Sequence, residues 1–243
     1  LSGLPLSGGG STFPAENMRL EYDVTYLGMK VGDVSLAFLI ESGTLSVLLK
    51  AESRGLAEVL VPFHITCSSK YDLNKGHFLQ YRQDTSFKKI HENFLVLRYE
   101  NGYFVFLLVK PDNSLIEKYP HLVDKIAGLE ELIPLRMRQL PLQDTVCDPL
   151  SFIYRLCNDP VDGTAELRLK LFVDNSFREI ILGQSRDEKR FYLAPEIDLP
   201  GVFPSGTKVR LSVSRDQKRI PERLELSVPG IGNFKIKLVS ASK

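Results

Sequence analysis

From Met18 to Ile40 the chain alternates apolar and polar residues. Leu20, Tyr22, Val24 and Tyr26 alternate with Glu21, Asp23 and Thr25, and Val34, Leu36, Phe38 and Ile40 follow. A period of two puts successive side chains on opposite faces of a strand. This stretch therefore predicts a hairpin with one dry face, turned over residues 27–30 through Gly28. The rhythm resumes at Leu45, Val47, Leu49 and Ala51, after which residues 55–61 form a short apolar connection, either a helical turn or a loop, stopped by Pro62. Residues 63–71 and 77–82 read as a further pair around 72–76. Residues 87–98 and 103–110 flank Glu100-Asn101-Gly102, and Asn-Gly is the strongest short hairpin signal. The run from Tyr103 to Val109 is apolar throughout, which predicts burial on both faces or a covering helix.

The pattern changes over 111–160. Leu122, Ile126, Leu129 and Leu132 or Ile133 follow helical spacing, although Gly128 leaves an irregular crossover open. A second helix is expected over 148–157, with Asp148 as its N-cap, Pro149 at the first helical position, and Leu150, Ile153, Tyr154 and Cys157 along one face. Alternation returns at Leu167, Leu169, Leu171 and Val173, then at 177–182 and 190–193. A Pro-rich loop over 195–204 precedes three closing strands, marked by Val209, Leu211 and Val213; Leu224, Leu226 and Val228; and Phe234, Ile236 and Leu238.

Counting these runs gives about eleven or twelve strands. Their connections are mostly too short for helical crossovers, so the pairing is expected to be antiparallel. A sheet with so many strands must curl or close to protect its edges. The expected fold is mainly β: a large curved antiparallel sheet closing into a partial or full barrel, a β-clam, with one or two short helices. Residues 1–17, rich in Gly, Ser and Pro, read as a flexible arm. Residues 18–243 read as a single β domain with a mixed helical and loop insertion at about 111–160.

Lys and Arg number 31 against 30 Asp and Glu, so the near-neutral chain has no basic surplus of the kind nucleic-acid binding requires. No apolar run approaches the ~18 residues of a membrane-spanning helix. Residues 1–11 lack the basic start of an intact signal peptide and read as what remains after one is removed or trimmed. Cys67, Cys147 and Cys157 fit neither a disulfide framework nor a zinc cluster and read as buried thiols. A bridge between Cys147 and Cys157 is conceivable, but a helix between them would hold them ~15 Å apart, beyond disulfide reach.

Catalytic and cofactor signatures are missing as motifs. His64, His77, His91 and His121 belong to no metal-ligand pattern, and there is no nucleophile elbow, phosphate loop or dinucleotide fingerprint. No cofactor or metal is expected. A hydrolase would need His64, His91 or His121 to meet a nucleophile or acids in a cleft. The basic groups Arg186, Lys189 and Arg190, and Arg215, Lys218 and Arg219, would form a positive rim if their hairpins were neighbours. Of the 14 Phe and 9 Tyr, many sit in strand positions, as core or as the lining of an apolar cavity.

Three segments, taken in order, carry a resemblance: Glu21-Tyr22-x-Val24-x-Tyr26-x-Gly28 with Val31-Gly32; residues 148–154, DPLSFIY; and Ser214-Arg215-Asp216-x-Lys218-Arg219-Ile220-Pro221 with Gly230-Ile231-Gly232. Together they resemble the bacterial envelope family catalogued as domain of unknown function 3108, over roughly residues 18–240. The resemblance implies a periplasmic or secreted, envelope-associated protein made with a signal peptide, a mainly β fold, and no transferable catalytic residue. It casts Gly28 and Gly32 as turn and close-packing glycines, Asp148-Pro149 as a helix start, Pro221 as a fixed strand start, and Gly230 and Gly232 as part of the closing motif. The function expected from residues and resemblance together is non-catalytic binding of an apolar or amphipathic ligand such as a lipid. Arg190, Arg215 and Arg219 are its candidate contacts to an anionic headgroup. The alternative is a structural or assembly module that binds another envelope protein.

Overall fold

The computed structural model describes residues 17–60, 62–87, 90–109, 133–142, 146–158, 167–173, 176–182, 184–187, 190–193, 208–214, 220–230 and 232–243. The chain begins with three long strands, β1 (Met18–Tyr26), β2 (Met29–Glu41) and β3 (Thr44–Ser53), then the short helix α1 (Leu56–Leu60). Five strands follow: β4 (Phe63–Asp72), β5 (His77–Phe87), β6 (Ile90–Tyr99), β7 (Gly102–Val109) and β8 (Ile133–Pro141). Next come β9 (Val146–Cys147), α2 (Pro149–Asn158), β10 (Leu167–Val173) and β11 (Ser176–Leu182). The chain closes with β12 (Gln184–Asp187), β13 (Arg190–Leu193), β14 (Lys208–Val213), β15 (Pro221–Val228) and β16 (Gly232–Ser242).

Thirteen of these strands form one sheet in the order β12-β13-β14-β15-β16-β1-β2-β3-β4-β5-β6-β7-β8. Its pairings are antiparallel throughout, and β16 lies against β1, joining the end of the chain to its beginning. Alternation drives this arrangement. Leu20, Tyr22 and Val24, with Val34, Leu36 and Phe38, turn to one side and are buried there, while their polar neighbours face outward. Tyr22 ties two distant strands together, donating its hydroxyl to the carbonyl of Pro221 at 3.0 Å. Gly32 is required by close approach, because a Cβ there would stand 2.5 Å from the Glu52 carbonyl oxygen.

A second, three-stranded sheet, β11-β10-β9, packs with α2 against the dry side of the first. Phe172 on β10 meets Phe78 and Tyr81 of β5 at ring-centroid distances of 6.4 Å, Phe94 of β6 at 6.1 Å and Phe177 of β11 at 5.8 Å. Tyr154 on α2 meets Tyr71 of β4 at 6.2 Å. Residues of β1 through β7, together with Val213 and Ile220, share one core with this inner layer, so the large sheet curves around it. The curved, barrel-like antiparallel sheet expected from the alternation is therefore present. Among the described residues its end strands β12 and β8 do not pair with each other.

Several expectations need correcting. The described strands number sixteen, and one pairing is parallel, between β9 and β10 across α2. Residues 133–141, inside the expected helical and loop insertion, are a strand that extends the main sheet beyond β7. Pro134 and Pro141 hide it, since Pro argues against a central strand but is tolerated at an edge. Ile133 thus starts a strand, and the rest of the helix expected over 121–133 lies outside the described residues. Phe87 ends β5 and does not open β6. The apolar run of β7 is buried on both faces: Tyr103 and Val105 enter the main core, while Leu108 forms a second cluster with Leu95.

Candidate functional site

The interior is where the expected apolar ligand would sit, and the protein's own chain fills it. Asp148, fully buried, is the N-cap of α2, its Oδ1 accepting from the backbone N–H of Leu150 at 2.8 Å and of Ser151 at 3.2 Å. Its Oδ2 accepts from the hydroxyls of Ser151 at 2.6 Å and of Ser69, on β4, at 2.7 Å. Pro149 is the first helical residue, where a missing N–H costs nothing. Burial pushes the Asp148 carboxyl above its ordinary range, against the pull of the Ser151 and Ser69 hydroxyls and the two backbone donors. This network fastens the inner layer to the wall through a polar contact. Beside it, burial pushes the Cys67 thiol up to about 11. Cys67, Cys147 and Cys157 are all buried thiols, and α2 runs between the latter two.

Two clefts among the described residues lie on the outside. One, of about 240 Å³, is lined by Glu52, Glu58, Phe63, His64 and Ser86 among others. Register places Glu52, His64, Ser86 and His91 in one row across β3 to β6, the juxtaposition a hydrolase would require. The hydrogen bonds do not follow that row. His64 Nε2 lies 3.1 Å from Thr66 Oγ1, and Glu52 pairs with Arg54, which also holds Asp33 at 3.0 Å. No acid–imidazole–hydroxyl relay joins Glu52, His64 and Ser86; the His91 side chain and His121 lie outside the described residues.

The second cleft is an open groove of about 280 Å³ at one end of β14, β15 and β16. Leu226 and Phe234 line it one register row from the cations, with Leu226 buried and the Phe234 ring stacked on Tyr26 at 4.8 Å. Its rim carries Lys208, Arg210 and Lys235. Arg210, Glu225 and Lys235 lie directly opposite one another across the three strands. Glu225 pairs with Arg223 on its own strand, so its charge is shared before Arg210 and Lys235 draw on it. Gly232 makes the stacked pair possible, because a Cβ there would stand 3.1 Å from the Tyr26 ring.

Of the cationic residues named from the sequence, the backbone of Arg190 alone is described, on β13 next to β14 and away from the groove. Arg190 starts β13 opposite Asp187, and its strand neighbour Phe191 pairs with Val213, which leaves Arg190 beside the turn that follows β14. Arg215 and Arg219, within that turn, lie outside the described residues, as does the side chain of Arg190. The turn is pinned at its base, where the Ser214 N–H donates to the Ile220 carbonyl at 2.8 Å and the Ile220 N–H to Ser214 Oγ at 2.7 Å. Pro221 opens β15 there, and Gly28 and Gly230 occupy turns with positive φ. A six-residue strand spans ~20 Å, so groove and turn are separate places. Reading the sequence missed Lys208, Arg210 and Lys235. Alternation in β14 and β16 does separate them from the apolar positions, but only register brings them together.

No helix among the described residues is long and apolar enough to cross a membrane. No protein-family model matches the chain, and neither does any curated protein. Among solved structures, the fold is similar to that of a beta-barrel-like protein of domain of unknown function DUF1849 from Brucella abortus. The TM-score is 0.57 at 11% sequence identity, and the match covers 93% of this chain and 97% of that one. At that identity the likeness is one of fold: a barrel-like architecture shared with a protein of unknown function.

Proposed function

We propose that this chain is a non-catalytic binding protein of the bacterial envelope, periplasmic or secreted, which takes an anionic amphipathic ligand such as a lipid. The three sequence segments quoted above support assigning it to the family of domain of unknown function 3108 and, with that, the compartment. The observation that carries the binding reading is the β14–β16 groove, lined by Lys208, Arg210 and Lys235 together with Leu226 and Phe234 of the adjacent register row. A lining that combines cations with apolar side chains suits a molecule with a phosphate or carboxylate head and a short apolar tail. The ligand is assigned to this outer groove because α2 and β10 occupy the interior.

Isothermal titration with a short-chain anionic phospholipid, kept monomeric, tests the proposal against its zwitterionic counterpart. Saturable binding of the anionic lipid, weakened at least tenfold by combined Arg210→Gln and Lys235→Gln, is expected. Equal binding of both lipids, or binding indifferent to the substitutions, would overturn it. A second reading, an assembly module, is favoured by the end strands β8 and β12, which have one partner each among the described residues. It expects a protein partner to protect the amides of those strands from hydrogen exchange.

A further inference from the structure

A second place in the molecule holds buried side-chain nitrogens with no hydrogen-bond partner among the described residues. His77 opens β5 and is 7% exposed, and its Nε2 is one of them. Arg98 lies near the end of the neighbouring β6, and its buried Nε is another. The register Gln80↔Leu97 brings the two to the same end of the β5–β6 pair. The turn over 72–76 holds that end in shape, with Asp72 Oδ1 accepting from the N–H groups of Asn74 and Lys75 at 2.9 Å each.

A buried imidazole and a half-buried guanidinium at one end of a strand pair are costly to charge unless something negative completes them. Asp72 is the nearest candidate within the protein, but its carboxyl is committed to the turn, and backbone donation from Lys75 holds it below its ordinary range. We infer that His77 and Arg98 form a binding site for a small oxyanion, phosphate-like or carboxylate-like, which accepts from Nε2–H of the imidazole and Nε–H of the guanidinium. Neither residue lines the β14–β16 groove, and the inference does not depend on the function proposed for it.

The chemistry makes binding dependent on protonation. The groups around His77 are Arg98 and Lys75, which disfavour its charged form, and Asp72 and the Lys75 backbone, which favour it. Burial is the largest influence and holds its pKa below the ordinary value. A bound anion reverses that balance by giving the imidazolium a counter-charge. Oxyanion affinity therefore rises as the pH falls through the His77 range, and binding takes up a proton.

The test follows the imidazole carbon-bound protons of the full chain, with His77 assigned by a His77→Asn variant, during titration with inorganic phosphate at fixed ionic strength. The expected result is a saturable shift of the His77 signal at pH 6, absent with chloride and at least tenfold weaker at pH 8. Arg98→Gln is expected to lower the affinity at least tenfold, and Arg98→Lys to restore part of it, with unchanged circular dichroism in both. Methyl phosphate separates the sources: a response to both probes assigns an esterified headgroup, and a response to inorganic phosphate alone assigns the free anion. A His77 signal unmoved by every oxyanion, or an Arg98→Gln variant that responds like the parent, would overturn the inference.

Discussion

The interior and the β14–β16 groove both rest on stacked or tilted aromatic rings, yet they differ in how their polar groups are matched. Inside, Phe172 is enclosed by Phe78, Tyr81, Phe94 and Phe177, and the buried carboxylate of Asp148 accepts four hydrogen bonds. In the groove, Phe234 rests on Tyr26, while among the described lining residues Glu225 is the acid between Arg210 and Lys235, and Arg223 already holds it. The network around Asp148 closes on the protein's own groups, and its chemistry serves stability. The groove has more positive than negative charge among its described lining residues, which an anionic ligand would balance. The comparison separates residues that hold the fold from residues left available for recognition.

The strongest way to break the comparison is to empty the interior. Phe172→Ala removes the ring that joins the two sheets and is expected to cost about 3–5 kcal/mol in chemical denaturation. A smaller loss would mean that the inner layer is not integral to the core. Asp148→Ala comes next. It strips an acceptor from two backbone donors and two hydroxyls, and should cost about 2 kcal/mol or more.

Asp148→Asn sharpens the same point through pH. The Asp148 carboxyl is pushed up in the folded chain, so its contribution to stability is full below the unfolded value, near 4, and is lost as the pH rises through the folded value. Denaturation midpoints of the parent should therefore fall over that rise, relative to those of the Asn variant. Identical pH profiles would mean that Asp148 stays ionised in place.

Much of the wall was legible in the sequence because one dry face enforces alternation. Leu20 through Phe38 could be read directly, and Asp148-Pro149 marked the helix start. The inner layer was not legible, because the alternation of Leu167 to Val173 records a dry face without saying which sheet covers it. The parallel β9–β10 pairing was hidden behind a two-residue strand. The groove escaped for a different reason. Arg210, Glu225 and Lys235 are 15 and 10 residues apart and meet only through register, whereas Arg215, Lys218 and Arg219 cluster visibly in one turn. Sequence proximity pointed to the turn, and the groove formed at the other end of the same hairpin.

Two milder tests remain. Burial raises the Cys67 thiol to about 11, so at pH 8 the native chain should consume no thiol reagent, and all three cysteines should react after unfolding. Rapid native reactivity would show that the inner layer opens. The combined Arg210→Gln and Lys235→Gln change should leave stability within about 0.5 kcal/mol, since neither side chain is buried in the core. A large loss there would make the groove part of the scaffold after all.

Backbone amide shifts recorded while the full chain is titrated with a monomeric anionic phospholipid test the central claim most directly. The account predicts saturable changes at Arg210, Leu226, Phe234 and Lys235, with Phe172, Tyr81 and Asp148 unmoved. Changes centred on Phe172 and Asp148, with the groove silent, would place the ligand inside the sheet and contradict it.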